Sequence, residues 1–441
     1  MAFSTIMDSN SYTGDGGLDP TTDAMVDKRR STLGPSYRLF YNRPVHLVKG
    51  AGAHLFDADG NKYLDAYNNV ASVGHCNPRV IAAVTDQMSA LNTHTRYLHG
   101  NILEYSERLL ATFPAEISSI MFTCTGSEAN DLAVRVAEQH TGGTGVIVTE
   151  EAYHGNSALI SAMSPSLGTG VPLGTNVRVV PAPDSYRIDP SELARWFADH
   201  VAAAIADLER HGHRFSALLL DSIFSSDGIY VDPSVLGPAV EVVHRAGGVF
   251  IADEVQPGFS RTGEAMWGFQ RHAVVPDLVT MGKPMGNGIP VAAMAARPEI
   301  LDAFAREIPY FNTFGGNPVS MAAAQAVLDI ITDEHLARHA AAVGNEMRAE
   351  LQELAAHYPF LGDVRGTGLY TGVEIVSDPD RKTHDGDQAQ RIVDLMRENH
   401  VLISVCGGHG NILKVRPPLV FSMADLDWFM SAFSTVVKEL A

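Results

Sequence analysis

Through the middle of the chain, short apolar runs alternate with stretches whose apolar positions recur every three or four residues. VIVTE (146–150), SALLLDSI (216–223), GVFIADEV (248–255), DLVTMGK (277–283) and VAAMAARP (291–298) read as strands. Nearly every position in them is apolar, which is the pattern of a strand covered on both faces. Residues 191–210 and 234–246 between them carry a helical period. Strands of this kind separated by helices predict a mostly parallel sheet, and we expect a large α/β lobe over residues 76–325. Beyond it the pattern changes. Residues 319–357 are Ala-rich and helical, 369–376, 401–405 and 411–415 are short strand candidates, and a terminal helix is expected from about residue 424. This predicts a smaller α+β lobe over 326–441. Strand candidates at 53–57 and 62–65 are expected to join it, so residues 1–75 read as an N-terminal arm plus part of the small lobe.

A chain of 441 residues is too long for one core, in keeping with two lobes. Its 51 acidic and 32 basic residues give a net charge of -19, which argues against nucleic acid or an anionic membrane as partner. No apolar run reaches the ~18 residues of a membrane span. Cys76, Cys124 and Cys406 are scattered, with neither a disulfide framework nor metal-ligand spacing, so no metal is expected and a reducing cytoplasm fits best. Asp8, Asp15, Asp19, Asp23 and Asp27 punctuate the first thirty residues, which lack the apolar centre of a secretory leader and are expected to form a mobile arm.

Three segments carry chemistry. In CTGSEANDLAVRVAEQH (124–140), Ser127 with Glu128 and Asn130 can open a helix whose free first-turn amides attract a phosphate, and Gly126 allows close approach. A plain helix cap would look the same. In IADEVQPGF (251–259), Asp253 and Glu254 stand at the carboxyl end of a strand, where open α/β sheets bind ligands. A buried carboxylate there needs a partner, either a structural cation or a protonated ring nitrogen. In TMGKPMGNGIPVAAM (280–294), Lys283 ends another strand, where desolvation would lower its pKa and make it a Schiff-base nucleophile rather than an exposed loop lysine.

A phosphate cradle, a carboxylate for a ring nitrogen and a lysine one strand later together resemble the class III aminotransferase family, pyridoxal 5'-phosphate (PLP) enzymes of fold type I. The likeness runs from LGPSYRLFY (33–41) to RPPLVFS (416–422) and is most specific in ADEVQ and MGKPMGNG. It implies that Lys283 holds the cofactor and then moves the proton, and that Asp253 pairs with the pyridine nitrogen. Gly126 and Ser127 would bind the cofactor phosphate, Tyr153 would stack on the ring with His154 beside it, and Gln256 would approach the phenolic oxygen. Thr313 of NTFGGNP (312–318) would reach the phosphate in a neighbouring subunit, which implies an obligate homodimer with shared sites, two of which can pair into a tetramer.

Two departures from the aminotransferase pattern bear on the reaction. Amino-acid-handling members usually carry an arginine three residues before the Pro-Pro pair, and ILKVRPPL (412–419) has Lys414 there. That exchange is not conservative at a forked carboxylate site. DSIF (221–224) replaces the usual Glu-Pro. Further segments, YLDAYNNVASVGHCNP (63–78), NTHTRYLHGNILEYSERL (92–109) and YFNTFGGNPVS (310–320), are similar to the ethanolamine-phosphate phospho-lyases of the family. That resemblance implies a small-molecule substrate, a phosphorylated amine, that loses phosphate to give acetaldehyde, ammonia and phosphate; an ω-amine:oxo-acid aminotransferase is the alternative. Candidate partners for the substrate phosphate are Arg96, Lys414 and Arg416. Arg96 has acids such as Asp65 or Glu104 as competing partners. Lys414 and Arg416 lie on an alternating strand and are expected to face opposite sides, one of them at the surface.

Overall fold

The computed structural model describes residues 5–14 and 17–441. Its first strands are β1 (Leu47–Ala51), β2 (His54–Asp57) and β3 (Lys62–Asp65). Then come β4 (Ser119–Thr123), β5 (Gly145–Thr149), β6 (Val177–Val180), β7 (Phe215–Asp221), β8 (Val249–Asp253), β9 (Leu278–Met281) and β10 (Ala292–Ala296). The last are β11 (Leu361–Thr367), β12 (Tyr370–Asp378), β13 (Thr383–His384), β14 (Val401–Leu402), β15 (Ser404–Cys406) and β16 (Ile412–Val415). The chain is a mixed α/β protein.

The main sheet has the order β4-β10-β9-β8-β7-β5-β6. Its central strands are buried at almost every position, as their unbroken apolar runs require. Leu218 and Leu220 of β7 enter the core on one face, Ala217 and Leu219 the core on the other. Phe250 and Ala252 against Val249 and Ile251 repeat this division on β8. From β6 to β9 every pairing is parallel. The expected strand at 291–298 runs antiparallel to both its neighbours. A parallel return needs a crossover of a dozen or more residues, and only a 3-10 turn (Lys283–Gly286) and a short loop separate β9 from β10.

The parallel strands end at one edge. Asp221 lies opposite Asp253, and Asp253 opposite Thr280. The helix Gly126–Thr141 starts at the same edge, because Thr123 at the end of β4 pairs with Ala292. Its N-cap is Thr125 rather than Ser127: Thr125 and Glu128 form a reciprocal capping box, which places Gly126 and Ser127 in the first turn.

The other two sheets combine sequence-distant pieces. β1-β2-β3-β14 joins the early strands to the C-terminal region, with Leu64 and Asp65 in parallel register with Val401 and Leu402. β11-β12-β16-β15 is antiparallel, and β13 adds to β12. The N-terminal segment is tied down where it is described: Asn10 Nδ2 donates to Ser404 Oγ at 2.7 Å, and Tyr41 N donates to the Asn10 carbonyl. Residues 20–33 form a helix capped by Asp19. The expectation of a mobile arm is corrected for these residues; Asp15 lies outside the described ones.

One crossing sets the position of β12. Gly344 of the helix Leu336–His357 packs against the Gly368 carbonyl so closely that a Cβ at Gly344 would stand 1.7 Å from that oxygen. Gly368 itself has φ +50 and leads into Leu369 and Tyr370, and the Tyr370 hydroxyl holds Gln256 of the chamber described below. Gly344→Ala forces helix and turn apart. It should destabilise the fold by about 1–3 kcal/mol, measured as a lowered midpoint in chemical denaturation.

Candidate active site

Beyond the carboxyl edge lies a chamber of about 330 Å³, lined among others by Tyr67, Tyr153, Gln256, Lys283, Lys414 and Arg416. It has the position that ligand sites take in open α/β sheets. Met7, Ser9 and Arg38 also line it. Arg38 Nε donates to Asp8 Oδ1 at 3.1 Å.

Lys283 begins the 3-10 turn after β9. Burial, and then the like charge of Arg416, pulls its pKa down to about 8, against the opposing charges of Asp253 and Asp221. Gly282, just before it, packs on the start of the helix Gly126–Thr141: a Cβ there would lie 3.4 Å from the Gly126 nitrogen. A Cβ on Gly126 would come within 3.0 Å of Val255 Cγ2. The lysine and the helix N-terminus are thereby brought together; a side chain at Gly126 would crowd Val255, whereas one at Gly282 would meet only ordinary contacts. Glu128 N donates to Thr125 Oγ1 and Ala129 N to the Thr125 carbonyl, leaving the Gly126 and Ser127 amides for an anion. Ser127 Oγ accepts from Asn156 N at 3.1 Å and faces Asn156 Oδ1.

Asp253 is buried at the end of β8. Its Oδ2 accepts from Asn130 Nδ2 at 2.9 Å and lies 2.7 Å from His154 Nδ1, while Oδ1 accepts from Val255 N at 3.0 Å. His154 Nε2 is buried without a partner among the described residues, while Nδ1 faces the carboxylate. Glu254 points away from this group. It accepts from Ser222 Oγ, Gly268 N and Phe269 N, and burial raises its pKa to about 7. It anchors the 268–269 turn.

Gln256 is held from several sides: Nε2 donates to Ser225 Oγ at 2.6 Å, Tyr370 Oη donates to Oε1 at 3.1 Å, and Arg416 Nη1 donates to the same oxygen. Ser225 in turn donates to Asp221 Oδ2. Tyr153 is half-buried at the chamber wall.

Lys414 and Arg416 are only 4 % and 6 % exposed, and both line the chamber. The expectation of opposite faces is overturned, because residues two apart in extended chain point the same way. Arg416 lies 4.4 Å over the Tyr67 ring and has no carboxylate partner among the described residues; Lys414 Nζ is 5.8 Å from the Tyr370 ring centre, also without one. Burial, then the charge of Arg416, lowers the Lys414 pKa to about 7, whereas the Arg416 pKa is raised because Tyr67 and Tyr370 outweigh burial.

Arg96 and Thr313 are not brought to this chamber within the chain. Arg96 pairs with neither Asp65 nor Glu104. It is exposed and stacks 4.2 Å over Phe311, and Asp65 instead accepts from the His75 ring at 2.6 Å. Exposed Thr313 is two residues from that phenylalanine. Sequence reasoning passed over Tyr67, Tyr370, Ser225 and Asp221 as site residues. The only signal was the DSIF departure for Asp221; the two tyrosines reach the chamber through contacts distant in sequence.

These residues fit PLP. Two unclaimed amides suit its phosphate, a buried carboxylate suits its ring nitrogen, and a desolvated lysine suits its aldehyde. No cluster of three or more metal-type ligands occurs among the described residues, and no helix among them is long and apolar enough to cross a membrane.

Comparison with known proteins places this geometry. The family model for class III aminotransferases matches residues 40–437. The chain is 38 % identical over 437 residues to alanine–glyoxylate aminotransferase 2 homolog 2, mitochondrial, of Arabidopsis thaliana, covering 97 % of this chain and 89 % of the relative. It is 35 % identical over 423 residues to ethanolamine-phosphate phospho-lyase homolog 1 of Caenorhabditis elegans, covering 91 % and 90 %. Among solved structures, a phospholyase from Arthrobacter in complex with phosphoethanolamine superposes with a TM-score of 0.92 at 42 % identity, covering 95 % of this chain and all of that one. The chain therefore belongs to the class III aminotransferase family, and its cofactor is pyridoxal 5'-phosphate.

Proposed function

We propose that the protein is a phospho-lyase that converts O-phosphoethanolamine, or a close phosphorylated amine, to acetaldehyde, ammonia and inorganic phosphate. The observation that carries this reading is the pair Lys414 and Arg416, two buried cations that face the chamber with no carboxylate partner among the described residues. Such charges are costly unless an anion joins them, and a dianionic phosphate is the anion they suit. The Arthrobacter phospholyase, described with phosphoethanolamine bound, supports the substrate class. So does the lysine in place of an arginine fork, since this substrate has no carboxylate.

The residue roles are part of this proposal, and the geometry supports them. Bound PLP supplies an electron sink for the carbon that bears the amine. Lys283 Nζ holds the cofactor and then takes the proton from that carbon. Asp253 keeps the ring nitrogen protonated, the Gly126 and Ser127 amides hold the cofactor phosphate, Tyr153 covers the ring with His154 beside it, and Gln256 orients the phenolic oxygen. Lys414 and Arg416 hold the substrate phosphate and stabilise the charge it carries away. Water completes the balance by releasing ammonia from the two-carbon fragment. We place the enzyme in the cytoplasm, where its three unpaired cysteines stay reduced.

The competing reading, amine transfer to an oxo acid, is favoured by the aminotransferase relative at 38 % identity. Incubating the holoenzyme with O-phosphoethanolamine and assaying phosphate and acetaldehyde separates the two. Equal release of both is expected. Conversion of the cofactor to its amine form, reversed by pyruvate and with no phosphate released, would instead establish transfer.

The arms of Arg96 and Thr313 lie on a face with Tyr97, Leu98, Phe311 and Phe314, which are 66 %, 99 %, 43 % and 69 % exposed. We assign this face to a homodimer contact that brings Thr313 to the partner's cofactor phosphate. Leu98→Asp should shift sedimentation from dimer to monomer and weaken cofactor retention; an unchanged dimer would remove this assignment.

Lys414 gives a pH signature. Protonated, it binds phosphate; above its pKa of about 7 it does not. Affinity for inorganic phosphate should therefore fall as pH rises from about 7 to about 9, approaching tenfold per unit. Lys414→Arg keeps its charge throughout and should flatten that slope, as read by calorimetric titration.

A further inference from the structure

The helix Gly126–Thr141 carries, one turn from its start, a buried amide that none of the roles above uses. Asn130 is 1 % exposed. Its Nδ2 donates to Asp253 Oδ2 at 2.9 Å and to the His154 carbonyl at 2.8 Å, and its Oδ1 accepts from Thr280 Oγ1 at 2.5 Å. Every hydrogen-bonding direction of the amide towards its neighbours is thus specified. If the amide were flipped, its oxygen would face a carboxylate and a carbonyl, both acceptors. Thr280 is fully buried in β9, three residues before Lys283, and its hydroxyl proton is directed at the Asn130 oxygen.

We propose that Asn130, locked by Thr280, is the positioning residue that holds Asp253 in register with the cofactor phosphate site and with Lys283. The inference rests on the reading of Asp253 as the partner of the ring nitrogen. Asn130 lies one helical turn from Gly126 and Ser127 on the same helix, so a single rigid element joins phosphate site to carboxylate. The Thr280 hydroxyl joins both to the strand that leads into Lys283. The His154 carbonyl completes the set, and the His154 backbone is in turn fixed by donation of its N–H to Ser164 Oγ at 3.0 Å. Four chain segments that each carry one part of the cofactor site therefore meet at one side chain. Such support shells fix a site to within fractions of an ångström.

The charged and titratable groups that face Asp253 are His154 at 2.7 Å, Asp221 across the β7–β8 pair and Lys283 after β9. Asn130 adds a neutral donor to Asp253 Oδ2 beside the imidazole. Removing it takes one donor from Oδ2 and leaves the carboxylate held by the His154 ring and the Val255 N–H alone, which loosens its alignment.

The test compares Thr280→Val, Thr280→Ser, Asn130→Leu and Asp253→Asn as purified holoenzymes. The readouts are the cofactor dissociation constant and the pH midpoint of the visible absorbance of bound cofactor, neither of which is turnover. Loss of one buried hydrogen bond corresponds to about tenfold in an equilibrium constant. Thr280→Val and Asn130→Leu should each raise the dissociation constant about tenfold and displace the midpoint. Thr280→Ser, which restores the hydroxyl but not the methyl group, should return both to the wild-type values, whereas a packing effect would follow the methyl group. If Asn130→Leu does not fold, the Val and Ser variants of Thr280 decide. Unmoved readouts in Thr280→Val, with both displaced in Asp253→Asn, overturn the inference alone. Unmoved readouts in Asp253→Asn as well overturn the reading of Asp253 on which it rests.

Discussion

Positive charge buried without a counter-ion is the constraint around which the site is built. Lys414, Arg416 and Arg261 are all almost fully buried, and none has a carboxylate in contact among the described residues. Arg261 Nη1 donates to the Leu369 and Pro417 carbonyls, while its Nη2 has no partner among the described residues, so the side chain pins the 368–370 turn against the segment after β16. Arg416 leans on the Tyr67 ring and the Gln256 oxygen, and Lys414 on little but the Tyr370 ring. Aromatic faces and amide oxygens offset only part of the cost of desolvating a cation. The acids that could neutralise these groups, Asp221 and Asp253, are engaged with Ser225, Asn130 and His154. The unbalanced charge is therefore kept on the chamber side, where an anionic ligand can meet it.

That arrangement explains why so much side-chain structure surrounds a small cavity. The carboxyl edge gathers the ends of β7, β8 and β9, which the backbone places at fixed spacing, and chemistry on one strand is felt on the next. Asp221 is an example. Burial, with Asp253 across the pair, raises its pKa, and Lys414 draws it back. The lysines and carboxylates form one electrostatic unit whose members cannot be altered independently.

Much of this was legible in the sequence, and the reasons are physical. The unbroken apolar runs of β7 and β8 could only be strands covered twice, and charged residues at their ends had to sit at the sheet edge. The amino-acid pattern by itself therefore puts Asp253 and Lys283 at that edge. The direction of β10 was not legible from its apolar run, which looks the same in either orientation; the short loop before it was the overlooked signal. The shared face of Lys414 and Arg416 was available from the two-residue period of extended chain and was misread. Tyr67, Tyr370 and Thr280 were hidden for a different reason. Their partners, Arg416, Gln256 and Asn130, lie more than a hundred residues away in the chain, and no local pattern encodes such a meeting.

The parallel pairing of β3 with β14 has a consequence for synthesis on the ribosome. The hairpin strands emerge early, yet the outer hydrogen-bonding edge of β3 acquires its neighbour only when Val401 and Leu402 leave the exit tunnel. At translation speeds of about 5–20 residues per second, that interval is roughly 20–70 s. Throughout it the nascent protein carries an open strand edge beside the buried residues Tyr63 and Leu64. The last strands to be translated thus close the first sheet, and a ribosome that stalls before them releases a chain with an adhesive, half-finished sheet.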